Sequence, residues 1–321
     1  MNQTMAPANP NAQQEVKEML HYFESIAGKK MILGQHTQTM EQAELHFIED
    51  ATGKLPALCG FELLSYSPNI NYEESGEECL TEVREAQKTL QKAWEWAEKK
   101  GLITFTWHWF SPTGGKDKAF YTEHTEFSAE QAVLDGTEEN KALIADMDFM
   151  AGLLKPFCEA HIPILWRPFH ECDGTWFWWG RDGAETVKKL YRIMFERFTY
   201  RYHLDNLIWV FNAASGDFYP GDDVVDIISC DMYPEAHHHT DCAEALENLK
   251  KITSARKLYA IGEIGTIPDV RAVIEHGLDW IYYMTWSKDF GKTELFTSRD
   301  ELRRAYDDPG AVTLAQFPKF Y

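Results

Sequence analysis

The chain has 321 residues, of which 44% are hydrophobic and 26% charged, a composition typical of a globular protein that buries its own core. The 31 basic and 51 acidic residues give a net charge of −20 at pH 7, which argues against nucleic acid and anionic membrane surfaces as partners. No apolar run approaches the roughly 18 residues that a membrane-spanning helix needs. The six cysteines form no CxxC pair, which argues against a zinc or redox site, and Cys59, Cys158 and Cys230 lie in apolar contexts typical of buried thiols.

The N-terminal residues 1–14 are predicted to be a flexible extension that precedes a single domain over 15–321. The first ten residues are polar and lack the basic and apolar blocks of a secretory signal. We therefore expect that a signal is either missing or already removed. No repeat, low-complexity tract or linker indicates a second domain.

Eight short apolar runs rich in β-forming residues alternate with segments of helical period, a pattern that predicts a parallel sheet wrapped by helices. The runs are 31–37, 57–64, 102–109, 163–171, 206–213, 224–234, 257–265 and 280–287. Eight strands close a (β/α)8 barrel, also called a TIM barrel. A doubly wound sheet is the alternative, but no GxGxxG follows the first strand.

Helices are predicted over 11–27, 41–51, 81–100, 137–160, 184–203, 241–254, 270–276 and 298–306. Only residues 214–223 separate the fifth and sixth runs, so we expect a short or irregular helical turn there. The longest connection, 110–136, follows the third strand, and loops of that size are usually functional or mobile.

Polar residues gather at the predicted C-terminal ends of the strands, where barrel enzymes place their active sites. Glu171 ends the fourth run, and Glu263 ends an otherwise apolar seventh run. Each glutamate could form a structural ion pair with an arginine such as Arg167. Taken together, two carboxylates at the mouth of one barrel favour the acid and nucleophile of glycoside hydrolysis.

The loop 172–180 after the fourth run carries Trp176, Trp178 and Trp179. These tryptophans could pack beneath a lid, but flat aromatic faces also stack on sugar rings, and we expect at least one of the three to contact sugar. Trp94 and Trp96 lie within a predicted helix and are interpreted as packing. The run His237–His239 is interpreted as a solvated loop, with a substrate contact or a metal site as alternatives.

Several motifs together resemble a known family. Residues 166–171 (WRPFHE) followed by 176–180 (WFWWG) are similar to the acid/base segment of glycoside hydrolase family 26, the β-mannanases of clan A. Further similarity lies in GQH at 34–36, WHWFSP at 107–112, DMYP at 231–234, GEIG at 262–265 and TWS at 285–287. The resemblance extends over roughly residues 15–315 and implies a (β/α)8 barrel.

The resemblance implies a role for each matching residue. Glu171 would be the general acid/base, Glu263 the nucleophile, and Tyr233 the hydrogen-bond donor to that nucleophile. The residues predicted to contact substrate are His36, His108, Trp109, Arg167, His170, Trp176, Tyr233 and Trp286. A retaining mechanism needs a protonated acid beside an ionised nucleophile, so we expect a raised pKa for Glu171 and a charged Glu263.

The predicted activity is endo-acting cleavage of β-1,4-mannosidic bonds in mannan, glucomannan or galactomannan. The alternatives are a β-1,3-xylanase, a mixed-linkage β-glucanase, an exo-acting mannobiohydrolase and, from a different class, a non-catalytic carbohydrate-binding barrel. We expect no metal and no cofactor, because two carboxylates suffice for this chemistry. The protein is expected to be an extracellular monomer, with the cytoplasm as the alternative location.

Overall fold

The computed structural model describes residues 5–38 and 40–321. Its strands are β1 (Met31–Thr37), β2 (Leu58–Glu62), β3 (Leu102–Thr106), β4 (Ile164–Arg167), β5 (Leu207–Asn212), β6 (Ile227–Met232), β7 (Leu258–Ile264), β8 (Trp280–Thr285) and β9 (Ala311–Val312). Its helices are α1 (Gln14–Ile26), α2 (Ala43–Thr52), α3 (Glu77–Glu85), α4 (Thr89–Glu98), α5 (Ala129–Ala132), α6 (Glu138–Glu159), α7 (Ala184–Glu196), α8 (Ala243–Leu249), α9 (Val270–Glu275), α10 (Asp289–Lys292) and α11 (Arg299–Asp307).

The first eight strands form a closed parallel barrel. Each strand pairs with the next along the chain, and β8 pairs with β1 to close the ring. The two-residue strand β9 adds to the start of β1. Almost every strand residue is buried, because the apolar side chains pack either inside the barrel or against the surrounding helices. The predicted (β/α)8 barrel is therefore confirmed.

Helix α1 packs with the interior of the barrel rather than with its outer layer. Val16, Met19 and Phe23 belong to the same buried cluster as the barrel residues Ile32 and Leu58. Their spacing places these side chains on one face of the helix. Helix α1 thus covers the N-terminal end of the barrel, and the opposite end stays open for a site.

Residues 5–13 are the described part of the predicted N-terminal extension. They pack against the barrel and do not form a flexible extension. Asn9 and Ala12 are buried, and the backbone N–H of Ala8 donates to Asp226 Oδ1 at 2.7 Å. The side chain of Asn9 also donates to Asp205 at 3.0 Å. These contacts attach the segment to the closed end of the barrel, so a boundary at residue 14 does not separate it from the domain.

The third and fourth strands end three or more residues earlier in the structure than in the sequence analysis. The third ends at Thr106 rather than residue 109, and the fourth at Arg167 rather than Glu171. Phe169 and Glu171 both adopt positive φ, at 52° and 51°, which breaks the strand geometry. The chain turns away from the sheet at this point, and Glu171 is presented from a turn above the barrel.

The helices also differ from the predicted ranges in places. The predicted helix 81–100 is two helices, α3 and α4, separated at Lys88, whose φ is 63°. The predicted helix 184–203 ends as α7 at Glu196 and continues as a π-helical turn over Arg197–Arg201. The short connection between β5 and β6 contains a single 3₁₀ turn, Gly216–Phe218, as expected.

Two predictions about the chain as a whole can be compared with this fold. Within residues 5–38 and 40–321, the helices are all too short or too polar to cross a bilayer. All six cysteines are buried free thiols.

Candidate active site

Glu263 lies on β7 and is almost completely buried at the open end of the barrel. The hydroxyl of Tyr233 donates to Glu263 Oε2 at 2.6 Å, and the guanidinium of Arg167 donates to Oε1. A buried carboxylate with two such donors is held in one orientation. The family-implied contact between Tyr233 and Glu263 is thus present in the geometry.

Arg167 joins the nucleophile candidate to a second buried acid. Its Nη1 donates to Asp231 Oδ2 at 3.0 Å, and its Nη2 also donates to Thr106 Oγ1 at 3.0 Å. Asp231 in turn accepts from Asn212 Nδ2 at 2.7 Å. Arg167 is only 1% exposed, so it lies beneath the cleft as a counter-ion and is not itself a surface that sugar can reach.

Glu171 is positioned by backbone and by an aromatic ring. Its N–H donates to Asn212 Oδ1 at 2.7 Å, which anchors the turn after β4 to β5. The indole of Trp176 donates to Glu171 Oε2 at 2.8 Å. Unlike Glu263, Glu171 is only partly buried and faces the cleft.

The two glutamates and Asp231 form one compact group. One carboxylate oxygen from each lies within 4.8 Å of the others. Retaining glycosidases hold their two carboxyl groups about 5–5.5 Å apart, whereas inverting enzymes need about 6.5–9.5 Å to admit a water molecule. The short separation favours a retaining pair.

A glycine allows the acids to approach this closely. A Cβ on Gly262 would lie 2.6 Å from Asp231 Oδ1 and 2.7 Å from Asn212 Nδ2. Both distances are shorter than any van der Waals contact, so a larger residue would push this pair away from β7. The glycine before Glu263 is therefore required by packing.

Burial and mutual repulsion raise the pKa of each acid in the group. Burial and the nearby Asp231 charge raise the pKa of Glu171, against the hydrogen bond from Trp176. Burial also raises the pKa of Glu263, which the Arg167 guanidinium opposes, and the pKa of Asp231 rises to about 7 for the same reason. Of the two glutamates, only Glu171 was expected to have a raised pKa, but the pKa of Glu263 is raised as well.

The hydrogen bonds nevertheless distinguish the two glutamates. Glu263 accepts from Arg167 and Tyr233, and these donors favour its ionised form. Glu171 has one neutral donor, Trp176, and lies nearer to solvent. Between the two glutamates, these contacts favour the ionised form more strongly at Glu263 than at Glu171.

A histidine pair and a buried glutamate form one wall of the cleft. Glu62 Oε2 lies 2.7 Å from His108 Nδ1, and His108 Nε2 lies 3.3 Å from His170 Nε2. Burial lowers the pKa of His108, but the Glu62 charge outweighs this and raises it. Burial lowers the pKa of His170 well below its ordinary value. The pKa values of the two histidines are thus shifted in opposite directions.

Trp286 forms another wall and is supported from behind. His36 is fully buried and stacks on the indole, with ring centroids 4.1 Å apart. Gln35 Nε2 donates to the backbone oxygen of Trp286 at 2.9 Å. His36 was predicted to contact substrate, but the structure places it behind Trp286, where it orients that ring.

The tryptophans after β3 and β4 separate into two groups. Trp176 is 49% exposed, whereas Trp178 and Trp179 are buried and donate to the backbone oxygens of Trp109 and His170. Trp109 is also buried and donates to Asp146 Oδ2 at 2.7 Å, away from the cleft. Trp109 therefore differs from its predicted role as a substrate contact, and of the three loop tryptophans only Trp176 can meet sugar.

The cleft has a volume of about 300 Å³, and several of its residues escaped the sequence analysis. Its lining includes Gln38, Leu64, Glu82, His108, Lys118, Phe120, Tyr121, His170, Glu171, Phe177, Tyr233, Glu263, Trp286 and Lys288. Glu62, Asn212 and Asp231 support the cleft without lining it, and they stand at strand ends, where the sequence pattern places polar residues. Glu82, Lys118 and Tyr121 could not be predicted in this way, because they come from long connections whose path the sequence does not give.

The acid group is also the only set of three close His, Cys, Asp or Glu side chains among residues 5–38 and 40–321. Arg167 already pairs with two of its three carboxylates, so a cation there would meet a guanidinium. His237–His239 do not form such a set, and His239 Nδ1 lies 2.8 Å from the backbone oxygen of Ile267. This arrangement fits proton chemistry better than metal binding.

Three comparisons with known proteins bear on this site. Mannan endo-1,4-beta-mannosidase of Thermothelomyces thermophilus is 32% identical over 314 residues, which are 95% of this chain and 62% of that protein. Mannan endo-1,4-beta-mannosidase B of Piromyces sp is 29% identical over 97% of this chain and 53% of that protein. The chain thus spans only about half to three fifths of the length of these curated relatives.

Among solved structures, a crystal structure of a beta-mannanase from a symbiotic protist of the termite Reticulitermes speratus, complexed with gluco-manno-oligosaccharide, superposes with a TM-score of 0.87. It is 30% identical and covers 98% of both chains. A family model described as glycosyl hydrolase family 26 matches residues 8–315, a range that includes all nine strands and both glutamates. The chain belongs to glycosyl hydrolase family 26.

Proposed function

We propose that this chain is a retaining endo-β-1,4-mannanase that cleaves mannan, glucomannan or galactomannan. The observation that carries the proposal is the close pair Glu171 and Glu263, with Glu263 held by Arg167 and Tyr233. The names of the relatives, mannan endo-1,4-beta-mannosidases, and the gluco-manno-oligosaccharide bound to the structural neighbour support the choice of substrate.

The reaction proceeds in two displacements. Glu263 attacks the anomeric carbon while Glu171 gives its proton to the departing glycosidic oxygen, so a glycosyl ester forms and the aglycone leaves as an alcohol. Glu171, now ionised, takes a proton from water, and the resulting hydroxide displaces Glu263 from the anomeric carbon. Both inversions occur at the same carbon, so the product keeps the β configuration.

The walls of the cleft fit a neutral sugar. Trp286 offers an aromatic face inside the cleft, and Trp176 offers an exposed one beside Glu171. His108 and Tyr233 offer polar groups for hydroxyls. We propose that the enzyme acts as a monomer. We place the enzyme outside the cell, since a mannan polymer must be shortened before it can cross a membrane.

The test is a product profile on mannohexaose, with parallel assays on barley β-glucan and β-1,3-xylan. We expect internal cleavage of mannohexaose and little release from the other two polymers. Release of mannobiose alone from one end would indicate a mannobiohydrolase, and a preference for either other polymer would contradict the proposed substrate. A first product of α configuration would contradict retention.

We further propose that the reaction uses neither metal nor cofactor. Incubation with EDTA followed by removal of the chelator should leave kcat/KM on mannohexaose unchanged, because proton transfer and nucleophilic attack are supplied by the carboxyl groups. Loss of activity that one added divalent cation restores would contradict this view of the site.

A further inference from the structure

Two long loops at the open end of the barrel are hydrogen-bonded to each other. They are the connection 110–136 after β3 and the loop 172–180 after β4. The N–H of Thr122 donates to the backbone oxygen of Trp176 at 2.7 Å. The hydroxyl of Thr122 donates to the backbone oxygen of Thr175 at 2.8 Å. We call this pair of hydrogen bonds the Thr122 clasp.

Neighbouring contacts show that the two loops pack closely beside the clasp. Tyr121 and Phe177 pair as an antiparallel bridge, and their rings stack with centroids 5.5 Å apart. The N–H of Trp178 donates to the backbone oxygen of Phe120 at 3.1 Å. Phe120, Phe177 and Trp178 are buried, whereas the clasp lies nearer to solvent. The clasp is thus the outer end of an interface whose inner part is buried.

The ring of Trp176 is held in place although it is half exposed. A Cβ on Gly174 would lie 2.3 Å from the indole Cη2, so the ring lies directly on the backbone of that glycine. From this position the indole N–H donates to Glu171 Oε2 at 2.8 Å. A hydrogen bond weakens as its distance and angle depart from the ideal. A shift in the backbone of Trp176 would therefore weaken its bond to Glu171.

The bond from Trp176 acts on the group that supplies the proton. Burial and the Asp231 charge raise the pKa of Glu171, and this hydrogen bond opposes them because it stabilises the ionised carboxylate. A weaker bond would therefore raise the pKa of Glu171 further. The other charged and titratable groups that act on Glu171 are Asp231, Glu263, Arg167, His108, Tyr121 and Tyr233.

We propose that Thr122 is a positioning residue for the acid step. By holding the backbone of Thr175 and Trp176, it keeps the indole N–H directed at Glu171. The connection after β3 thus takes part in general acid catalysis without touching the reacting atoms. This inference rests on the proposed mannanase function, in which Glu171 protonates the departing glycosidic oxygen.

The first test compares substrates whose leaving groups differ in their need for protonation. Thr122→Val removes the hydroxyl but keeps the shape of the side chain, so kcat/KM on mannohexaose should fall about three- to tenfold, the usual contribution of one hydrogen bond. On 2,4-dinitrophenyl β-mannobioside, whose leaving group needs little protonation, kcat/KM should change less than about twofold. Thr122→Ser keeps the hydroxyl and should retain wild-type activity. Thr113→Val, the same change at an exposed threonine of the same connection, is the matched control.

The pH profile gives a second readout, which a loss of folded protein would not move. Because a weaker bond from Trp176 raises the pKa of Glu171, the alkaline limb of kcat/KM on mannohexaose should move upwards in Thr122→Val. It should stay in place in Thr113→Val. In a Trp176→Phe background, which has no indole N–H, Thr122→Val should cause no further loss and no further shift of the limb.

Several results would overturn the inference. They are full activity of Thr122→Val on mannohexaose, equal losses on the two substrates, an alkaline limb that stays in place, and independent losses from Thr122→Val and Trp176→Phe in the double variant. A loss in Thr122→Ser as large as that in Thr122→Val would also overturn it. If Thr122→Val fails to fold, Thr122→Ala decides by the same criteria. A wild-type enzyme that cleaves neither mannohexaose nor the mannobioside contradicts the proposed function instead.

Discussion

Each end of the barrel buries a carboxylate. Comparing the two distinguishes a carboxylate that supports the fold from one that lies in the candidate active site. At the closed end, Asp226 accepts backbone N–H groups from Ala8 at 2.7 Å and Trp209 at 2.8 Å. At the open end, Glu263 accepts only from side chains and shares its surroundings with Glu171 and Asp231. Burial raises the pKa of both Asp226, to about 6, and Glu263.

A raised pKa alone therefore does not identify a catalytic acid in this protein. Asp226 is buried and accepts from fixed backbone donors. Glu263 lies against a cleft and close to a second acid that can exchange its proton. Glu263 differs from Asp226 because the carboxylates of Glu171 and Asp231 lie close to it and because it lines a cleft.

The largest expected effect comes from removing either glutamate. Glu171→Ala should lower kcat/KM on mannohexaose by about 10²–10⁴-fold, the usual contribution of a general acid, and Glu263→Ala by at least as much. With an activated aryl mannobioside, Glu171→Ala should still form the glycosyl ester, and added azide should release the β-mannosyl azide. Glu263→Ala should at most yield the α-azide.

The products of this azide experiment can contradict the assignment. If Glu263→Ala gave the β-azide and Glu171→Ala the α-azide, the roles of the two glutamates would be reversed. If Asp226→Ala lost as much activity as either variant while remaining folded, the contrast between the two ends of the barrel would fail.

A smaller effect is expected from the exposed tryptophan. Trp176→Ala removes both an aromatic face and the donor to Glu171, so kcat/KM on mannohexaose should fall by about 10-fold or more. Trp94→Ala is the control, because Trp94 stacks on Phe157 at 4.4 Å in the outer layer and should affect stability instead. Equal activity of the two folded variants would contradict the role of Trp176.

A subtler change tests the hydrogen bond alone. Trp176→Phe keeps a ring but removes the N–H whose hydrogen bond lowers the pKa of Glu171. Without it that pKa rises further, so the acid stays protonated to higher pH and the alkaline limb of kcat/KM should move upwards. The pH profiles of both enzymes measure this shift, and a limb that moves to lower pH would contradict it.

The smallest expected effects are changes in melting temperature, and they differ in sign at the two ends of the barrel. Asp226→Asn should lower the melting temperature, because an amide can accept only one of the two N–H bonds, a loss of about 1–3 kcal/mol, and activity of the folded protein should persist. Glu171→Gln should raise it at pH 8, since the raised pKa means that the ionised form is disfavoured in the folded state.

The pH dependence of the melting temperature is a control for the prediction on Glu171→Gln. At pH 4 Glu171 is protonated in the folded protein, so the gain in melting temperature should shrink from pH 8 to pH 4. Thermal unfolding followed by circular dichroism at both pH values measures it. A gain that grows towards low pH would contradict the environment assigned to Glu171.

Much of the fold followed from local pattern. The apolar runs at 31–37 and 280–287 predicted strands because their residues suit a buried parallel sheet, and the strands β1 and β8 lie there. The break at Lys88 was not predictable from periodicity, because residues 81–100 keep a helical pattern across it. The left-handed Lys88 separates the two helices; α4 packs against β2 and β3, whereas α3 contacts the 3₁₀ turn Leu64–Tyr66.

For the site, the sequence by itself determined that Glu171 and Glu263 stand at strand ends on one face, because parallel strands of a closed barrel all point the same way. Only the tertiary structure decided that Trp109 is buried while Trp176 is exposed, since both follow a strand and resemble each other in sequence context. It also decided that Lys118, Glu82 and Lys288 meet in the cleft. Contacts between distant connections depend on how the loops fold over the mouth, and no local pattern of residues encodes that path.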